Sequence, residues 1–273
     1  MPGSLYLVST PIGNLGDMSY RAVEVLTSAA LVIAEDTRHS RRLLDHYRVE
    51  TPLRSYHEHN EAKETPRIVE RLRAGDSIAL ISDAGTPLIS DPGSRLVAAA
   101  IAEGIPVVPI PGASSVMAAL VGSGMSLERF AFYGFLPRKG KERIEAIDDV
   151  VSSRSTVVIF EAPNRVGATL DDLAKAGAAA REAVVARELT KQFEEFNRGT
   201  VASLASAYTD KDPKGEVVIV VAGAQKAVIA ESELTDVARK LKGSGKPPRE
   251  IMNHLVSELG AARNLAYKIA HED

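Results

Sequence analysis

The feature that most constrains the fold is the alternation of short, β-rich apolar runs with longer segments of helical spacing. In the first half of the chain the apolar runs cover residues 5–8, 31–34, 77–81 and 107–110. Helical patterns fill 37–47, with Thr37 as the predicted cap, and 62–74, while Asp91 followed by Pro92 predicts another helix start. This alternation predicts a mostly parallel α/β sheet.

A second set of elements begins near residue 127. The spacing predicts strands at 130–133, 156–160, 183–188 and 216–221, and helices at 141–151 and 166–176. From Ala224 the composition shifts to Ala, Lys and Glu, and helices are predicted at 231–241, 248–259 and 262–270. We therefore predict an α/β domain over 1–126, a second over 127–223 and a small helical tail over 224–273.

Composition narrows the chemistry. The chain has 273 residues, 45% of them hydrophobic, a net charge of −3 and no cysteine. Thiolate nucleophiles, thiolate metal sites and disulfides are therefore excluded. Contact with a polyanion must rest on local basic patches, because the net charge provides no overall attraction. The apolar runs are too short to span a bilayer and the start of the chain does not read as a signal peptide, so we expect a cytoplasmic protein without membrane contact.

Glycine and proline gather in three loops that directly follow predicted strands. These loops cover 9–15, 82–87 and 109–115. Ligands of open α/β sheets bind beyond the carboxyl ends of the strands, so we expect these loops to line a binding site. The chain contains neither the G-x-G-x-x-G nor the P-loop pattern, and nicotinamide, flavin and P-loop nucleotide chemistry therefore lose their usual support.

Taken in order, the loops resemble the tetrapyrrole-methylase superfamily, and more narrowly its ribosomal RNA cytidine 2′-O-methyltransferase branch. The motifs that carry the resemblance in the first half are YLVSTPIGNL (6–15), AEDTRHSRRLL (34–44), SYHEHNE (55–61), SDAGTPLISDPG (82–93) and PGASSV (111–116). Those in the second half are GFLPRKGK (134–141), EAPNR (161–165), ARELTK (186–191) and PKGE (213–216).

The resemblance implies a class III methyltransferase, usually a homodimer, that binds S-adenosylmethionine in a cleft between two α/β domains. It also implies that the substrate is a cytidine in the decoding region of 16S rRNA in the small ribosomal subunit. By motif position, the implied cofactor-binding residues are Pro11, Asp83, Gly85, Pro87, Ser114, Ser115, Glu161, Leu189 and Gly215.

The residue chemistry fits that allocation. A sulfonium cofactor with a ribose and an amino acid needs polar groups near its ends, backbone brought close by glycine, and a mostly apolar cavity. Asp83 suits this role better than the alternative of a turn aspartate bonded to its own backbone. Ser114 and Ser115 can also cap a helix, and the two roles are compatible.

Methyl transfer to a ribose hydroxyl needs alignment and help in removing a proton, but it requires no metal. We expect Glu35 and Asp36 to aid deprotonation, and Arg38 and Lys191 to stabilise the developing charge or anchor phosphate. For Asp36, an acid favouring the dipole of the next helix is an equal alternative.

Two further groups of residues are candidates for a functional role. His57 and His59 lie on one side of an extended segment, but no third ligand follows from spacing, so RNA-facing or structural roles are favoured over a metal. Two sets of basic residues are candidates for phosphate contacts: Arg41 with Arg42, and Arg138, Lys139, Lys141 and Arg143. The equal alternative is that they lie on solvent-exposed helix faces.

The tail resembles the helix-turn-helix-like extension of this branch, and RNA docking and a packing role stay equal alternatives. For the whole protein, the alternatives are a tetrapyrrole or diphthine-type methyltransferase, which would share fold and cofactor, and a non-catalytic RNA-binding protein.

Overall fold

The computed structural model describes residues 2–209, 211, 213–224 and 231–272. These residues contain two five-stranded sheets, and their contacts divide the chain into two compact units, Met1–Gly223 and Ala224–Asp273. Both sheets belong to the first unit, and the helical tail forms the second. The domain boundary at residue 126 stays a prediction, and residues 225–230 and 273 of the predicted tail lie outside the described residues.

The first sheet is entirely parallel, in the order β3-β2-β4-β1-β5. Its strands are β1 (Leu5–Val8), β2 (Leu31–Ala34), β3 (Leu53–Ser55), β4 (Ile78–Ile81) and β5 (Val107–Ile110). The helices that follow them are α1 (Tyr20–Ser28), α2 (Thr37–His46), α3 (Glu61–Arg73), α4 (Ser94–Ala102) and α5 (Ser115–Ser123). Every residue of β2 and β4 is buried, because apolar clusters cover both faces of the sheet.

The second sheet has the order β6-β7-β10-β8-β9 and is mixed, since only β6 and β7 run parallel. Its strands are β6 (Phe130–Phe135), β7 (Thr156–Glu161), β8 (Glu182–Arg187), β9 (Glu195–Thr200) and β10 (Val217–Val221). Its helices are α6 (Lys141–Ser152), α7 (Val166–Leu173) and α8 (Val201–Tyr208). One face packs on these helices, and the other receives α5 through Val116, Ala119 and Leu120.

The tail contains α9 (Glu231–Gly243), α10 (Pro248–Ser257) and α11 (Arg263–His271). Its own apolar cluster includes Leu234, Ile251, Leu255 and Ile269. None of the helices in the described ranges is both long and apolar enough to cross a bilayer.

Two predicted helix starts are wrong. Helix α2 is capped by Asp36 rather than Thr37, because the Asp36 carboxylate accepts the backbone N–H groups of Arg38 and His39. Helix α4 begins at Ser94 rather than at Asp91, since Gly93 has a φ of 129° and ends the preceding loop. Asp91 therefore does not cap α4.

Candidate cofactor and substrate site

The three glycine- and proline-rich loops lie side by side, because β4, β1 and β5 are neighbours in the first sheet. Two backbone hydrogen bonds join Thr10 and Gly85, at 2.9 and 3.1 Å, and Gly85 has a φ of 80°. The Thr10 hydroxyl donates to the Ser82 carbonyl at 3.1 Å, and Thr86 Oγ1 lies 3.4 Å from the Ala113 carbonyl. These bonds fix the loops as one rigid surface at the carboxyl edge of the sheet.

A cavity of about 380 Å³ opens between this surface and the second sheet. Its lining residues are Ile12, Ala84, Ile89, Ser90, Asp91, Ser115, Phe135, Phe160, Glu161, Ala162, Pro163, Gly215, Glu216, Val217 and Val218. Most of them are apolar, and the Phe135 and Phe160 rings meet edge to face with centroids 5.6 Å apart. A mostly apolar pocket with few polar groups is typical of a small-molecule site.

Glu161 places a buried carboxylate on the wall of this cavity. It accepts a hydrogen bond from the Thr169 hydroxyl at 2.5 Å and from the backbone N–H of Ala162 at 2.8 Å, and Arg165 lies 3.4 Å away. Thr169 in turn accepts from Arg143 at 3.1 Å. Glu161 is therefore held in one position by its neighbours.

The cavity wall includes three of the predicted cofactor residues, Ser115, Glu161 and Gly215. The other six lie behind the wall or in the same loops: Pro11, Asp83, Gly85, Pro87, Ser114 and Leu189. Asp83 accepts the backbone N–H of Asp36 at 3.2 Å, and Ser114 caps α5 by accepting the N–H of Met117. Both side chains thus have structural partners in addition to any ligand.

A second cavity of about 370 Å³ adjoins the first. Ser90 and Asp91 line both cavities. The remaining residues of the second cavity are Glu35, Glu58, Glu61, Pro92, Gly93, Ser94 and Arg95. Burial raises the pKa of Asp91 to about 6; the nearby carboxylates of Glu35 and Asp83 add to the rise, and the Ser82 hydroxyl opposes it.

A model of the family described as Tetrapyrrole (Corrin/Porphyrin) Methylases matches residues 4–205. The chain belongs to this family. The fold and the family resemblance expected from the sequence are thereby confirmed.

The relatives narrow the assignment within the tetrapyrrole methylases. Ribosomal RNA small subunit methyltransferase I of Synechocystis sp. is 44% identical and covers 99% of this chain and 98% of its own length. The protein of the same name from Xylella fastidiosa is 50% identical over 82% of each chain. The chain therefore groups with the methyltransferases of this name.

Solved structures of other methyltransferases share the fold at low identity. Cobalt precorrin-4 methyltransferase superposes with a TM-score of 0.62 and 18% identity, covering 80% of this chain and 94% of its own. Uroporphyrin-III C-methyl transferase from Thermus thermophilus, solved with S-adenyl homocysteine, gives 0.58 and 16%, covering 80% and 97%. These structures support the two-sheet architecture.

The predicted catalytic residues of this tetrapyrrole methylase are spread over different settings. Glu35 lines the second cavity. Asp36 caps α2 and pairs with Arg38 at 3.3 Å; its hydrogen bond with Arg38 holds the pKa of Asp36 below the usual value. The Arg38 side chain is 90% exposed. Asp36 is therefore a weak proton acceptor, whereas Glu35 faces the cavity.

Lys191 bridges two carboxylates beside the first cavity. Its Nζ lies 2.8 Å from Glu188 Oε1 and 3.2 Å from Glu216 Oε2, and its side chain crosses over Gly13. Burial lowers the pKa of Lys191, but the two carboxylates outweigh it and the pKa lies above the ordinary value. Lys191 is therefore a fixed cation that joins the loop after β8 to the loop after β1.

The candidate phosphate contacts also lie in different settings, some in an exposed concavity and one in the protein interior. A basic concavity of about 510 Å³ lies next to the end of β2 and is lined by Thr37, Arg38, Arg41, Leu53, Arg54 and Ser55. Arg143 is instead only 12% exposed and bonded to Asp172 and the Pro137 carbonyl. Arg143 therefore stabilises the packing of the elements around it, and we do not propose it as a phosphate contact.

His57 and His59 flank Glu58, which lines the second cavity. The rings of His57 and His59 are 6.0 Å apart, centroid to centroid. Across the described part of the chain, no three His, Asp or Glu side chains are grouped as they would be to hold a metal ion.

Three cavity residues lie in the motif at 82–93 but are not among the site residues that the sequence indicated. Ile89, Ser90 and Asp91 reach the cavity because Leu88 and Ser90 adopt positive φ values of 74° and 66°, which fold the loop back on itself. Non-glycine residues rarely adopt this conformation, and it concentrates at functional sites. The sequence marks the motif at 82–93 as one that carries the family resemblance, but it does not show that positive φ values turn residues 89–91 toward the cavity.

Proposed function

We propose that this protein transfers the methyl group of S-adenosylmethionine to the ribose 2′-hydroxyl of a decoding-region cytidine in 16S rRNA. The observation that carries the proposal is a mostly apolar cavity of about 380 Å³, built where the loops of both sheets meet, in a chain 44% identical to a small-subunit rRNA methyltransferase over nearly its full length. The two findings together point to a bound small molecule and an RNA acceptor.

The cavity fits the cofactor in size and lining. Ser115 and the buried Glu161 provide its polar contacts, and Gly215, with a φ of 92°, lets backbone form part of the wall. We propose that these three residues hold the cofactor and that Pro11, Asp83, Gly85, Pro87, Ser114 and Leu189 support it. When bound, S-adenosylmethionine supplies an electrophilic methyl group, and the related uroporphyrin enzyme was solved with the demethylated product.

The second cavity is proposed to receive the ribose. It shares a wall with the first, so a hydroxyl held there lies next to the cofactor cavity. Its carboxylates, among them Glu35, can accept the hydroxyl proton, as general bases do. Lys191 keeps the adjoining loops in place and supplies positive charge near Glu216.

The basic concavity is the proposed contact for the RNA backbone. Arg38, Arg41 and Arg54 line it, and Arg38 follows Glu35 by three positions, so phosphate can be held near the acceptor cavity. Arginine suits phosphate because its fork of N–H groups matches the oxygens. Arginine also pairs with carboxylates, so the preference for RNA over a tetrapyrrole or a diphthine precursor rests on the rRNA methyltransferases among the relatives.

A homodimer is also proposed. Met117 and Val121 lie one helical turn apart on α5 and are exposed, as is Phe130 on β6. Exposed apolar side chains of this size are typical of surfaces covered by a second copy. Light scattering of the purified protein should give twice the chain mass; a single-chain mass at micromolar concentration would contradict the proposal.

The function is tested by offering three acceptors to the protein with labelled S-adenosylmethionine. Small ribosomal subunits from cells that lack the modification should be labelled, whereas uroporphyrinogen and unmodified diphthine precursor should not. Labelling of either alternative acceptor would move the assignment to that class. Cofactor binding without labelling of any acceptor would favour a non-catalytic RNA-binding protein.

A further inference from the structure

We infer that Phe135, Arg138 and Lys139 form a second RNA contact at the rim of the cofactor cavity, in which the phenyl ring stacks on a base of the acceptor strand. The assignment depends on the proposed function, because the strand is the one that carries the acceptor ribose. Phe135 lines the cofactor cavity, yet it is 57% exposed. It therefore extends from the cavity wall to the surface, where an incoming strand meets it.

A β-bulge in β6 places Phe135 on the cavity side of the second sheet. The pairing of β6 with β7 shifts by one residue between Phe132 and Phe135. In a regular strand the side chains alternate between the two faces, so position 135 would share the helix-covered face with Tyr133. The extra residue reverses this, and Phe135 contacts Phe160 instead, with ring centroids 5.6 Å apart. Bulges commonly redirect a side chain in this way beside active sites.

Gly134 accommodates the bulge and shows where it lies. Its φ of 62° is in the left-handed region, which favours glycine. A Cβ on Gly134 would lie 3.5 Å from Ser90 Oγ, and Ser90 lines both the cofactor cavity and the second cavity. Phe135 therefore directly follows the point at which β6 meets the wall that the two cavities share.

The chain that continues beyond this ring is basic and exposed. Residues 134–141 contain no acidic side chain, and Arg138, Lys139 and Lys141 are exposed. Lys141 pairs with Glu145 at 3.2 Å on α6, whereas Arg138 and Lys139 precede this helix. Proteins bind single-stranded nucleic acid with this combination, because aromatic rings stack on the bases and cations hold the phosphates.

Charge favours RNA as the occupant over the cofactor or a second copy of the chain. S-adenosylmethionine carries a sulfonium and an ammonium group against one carboxylate, so nearby cations oppose its binding. Lysine is depleted in interfaces between proteins. An RNA strand supplies both the phosphates and the unstacked bases that suit this surface. With the basic concavity at the end of β2, each of the two sheets then contributes one contact to the RNA.

The test measures methyl transfer to unmodified small ribosomal subunits by Phe135→Ala, Phe135→Leu and Phe135→Trp. We expect the alanine variant to raise the KM for subunits roughly 10- to 100-fold, the usual effect of losing one base–aromatic stack, with kcat nearly unchanged. The leucine variant keeps apolar surface without a ring and should resemble alanine, whereas tryptophan should restore the wild-type KM. Ile144→Ala is the control, because Ile144 is exposed on α6 and does not line the cofactor cavity.

Phe135→Trp also gives a readout that does not depend on activity. The sequence contains no tryptophan, so the introduced indole is the only one in the protein. A stacked base quenches indole fluorescence, and we expect quenching by a short oligocytidylate at low salt but not by an abasic strand of the same length. Ile144→Trp should respond to neither strand. Equal fluorescence of Phe135→Trp with and without oligocytidylate would contradict the stack.

The double variant Arg138→Ala with Lys139→Ala tests the phosphate contacts. Loss of two contacts should lower the slope of log affinity for subunits against log salt by about one to two. Lys175→Ala is the control, because Lys175 pairs with Asp171 on α7. An unchanged slope in the double variant would contradict the assignment of both cations.

The remaining outcomes separate the possible occupants of the ring. A calorimetric loss of S-adenosylmethionine affinity in Phe135→Ala that matches its rise in KM would place the adenine there and overturn the RNA contact. A changed mass of this variant in light scattering would place the ring between two copies. If the wild type labels subunits and Phe135→Ala has the same KM, the contact fails and the proposed function stands. If the wild type labels no ribosomal acceptor, the proposed function fails, whereas quenching by oligocytidylate still reports the RNA contact.

Discussion

Gly85 illustrates how one residue controls the site. Its φ of 80° favours glycine, and its backbone exchanges two hydrogen bonds with Thr10, which joins the loops after β1 and β4. A Cβ at this position would lie 3.2 Å from Ile12 Cγ2, and Ile12 lines the cofactor cavity. The sequence indicates that the loop is special, but the positive φ and the contact with Ile12 follow only from the folded chain.

We predict that Gly85→Ala weakens cofactor binding. Alanine in a left-handed conformation costs about 1 kcal/mol, and here the new methyl group also pushes against Ile12. Gly104→Ala is the matched control, because Gly104 has a φ of 67° and its added Cβ meets no atom of the described residues within 4 Å. Calorimetry should show reduced affinity for Gly85→Ala alone. Equal affinities for both variants would contradict a role for this contact.

Thr169 matters because of the carboxylate it supports. Its hydroxyl donates to Glu161 and accepts from Arg143, so Thr169→Val should leave Glu161 short of a partner and destabilise the protein by about 1–3 kcal/mol. Urea unfolding measures the loss. Thr27→Val is the control, since the exposed Thr27 hydroxyl bonds only within its own helix. Similar losses in both variants would argue against the Glu161 network.

At the scale of the elements, apolar content decides what the sequence can predict. Strands β1, β2, β4 and β5 are nearly continuous apolar runs, and the sequence predicts them within a residue. Strands β3 and β9 are edge strands with polar or exposed residues, so they carry no such signal. The order of the strands, which brings the three loops together, depends on pairing between residues far apart in the chain.

Asp36 caps α2, and its predicted catalytic role can be separated from the cap by substitution. We predict that Asp36→Ala destabilises the protein by about 1 kcal/mol through loss of the α2 cap, whereas Asp36→Asn, which also caps well, stays close to wild type. Thermal unfolding and methyl transfer should be measured on both. If Asp36→Asn folds normally but loses turnover, the carboxylate takes part in catalysis after all.

At the scale of the whole molecule, charge must be concentrated locally to attract RNA. The net charge is −3, yet three arginines share the concavity at the end of β2. The tail has its own apolar cluster, and its part in binding RNA stays a prediction. Composition alone predicts weak binding to nucleic acid, whereas the residues that α2 and β3 bring together form a surface suited to phosphate.

We predict that Arg54→Ala reduces the salt dependence of binding to small ribosomal subunits. Loss of one phosphate contact should lower the slope of log affinity against log salt by about one, with cofactor affinity unchanged. Arg67→Ala is the control, because Arg67 pairs with Glu64 on α3 outside the concavity. An identical slope for wild type and Arg54→Ala would exclude Arg54 from the RNA contact.

The central claim is that the paired cavities direct a methyl group to a ribose oxygen. Its most direct test is to label unmodified small subunits with methyl-labelled S-adenosylmethionine and hydrolyse the 16S rRNA in alkali. A methylated 2′-oxygen cannot attack the adjacent phosphodiester, so the label should appear in an alkali-resistant dinucleotide that begins with cytidine. Label recovered in single nucleotides would place the methyl group on a base and contradict the account.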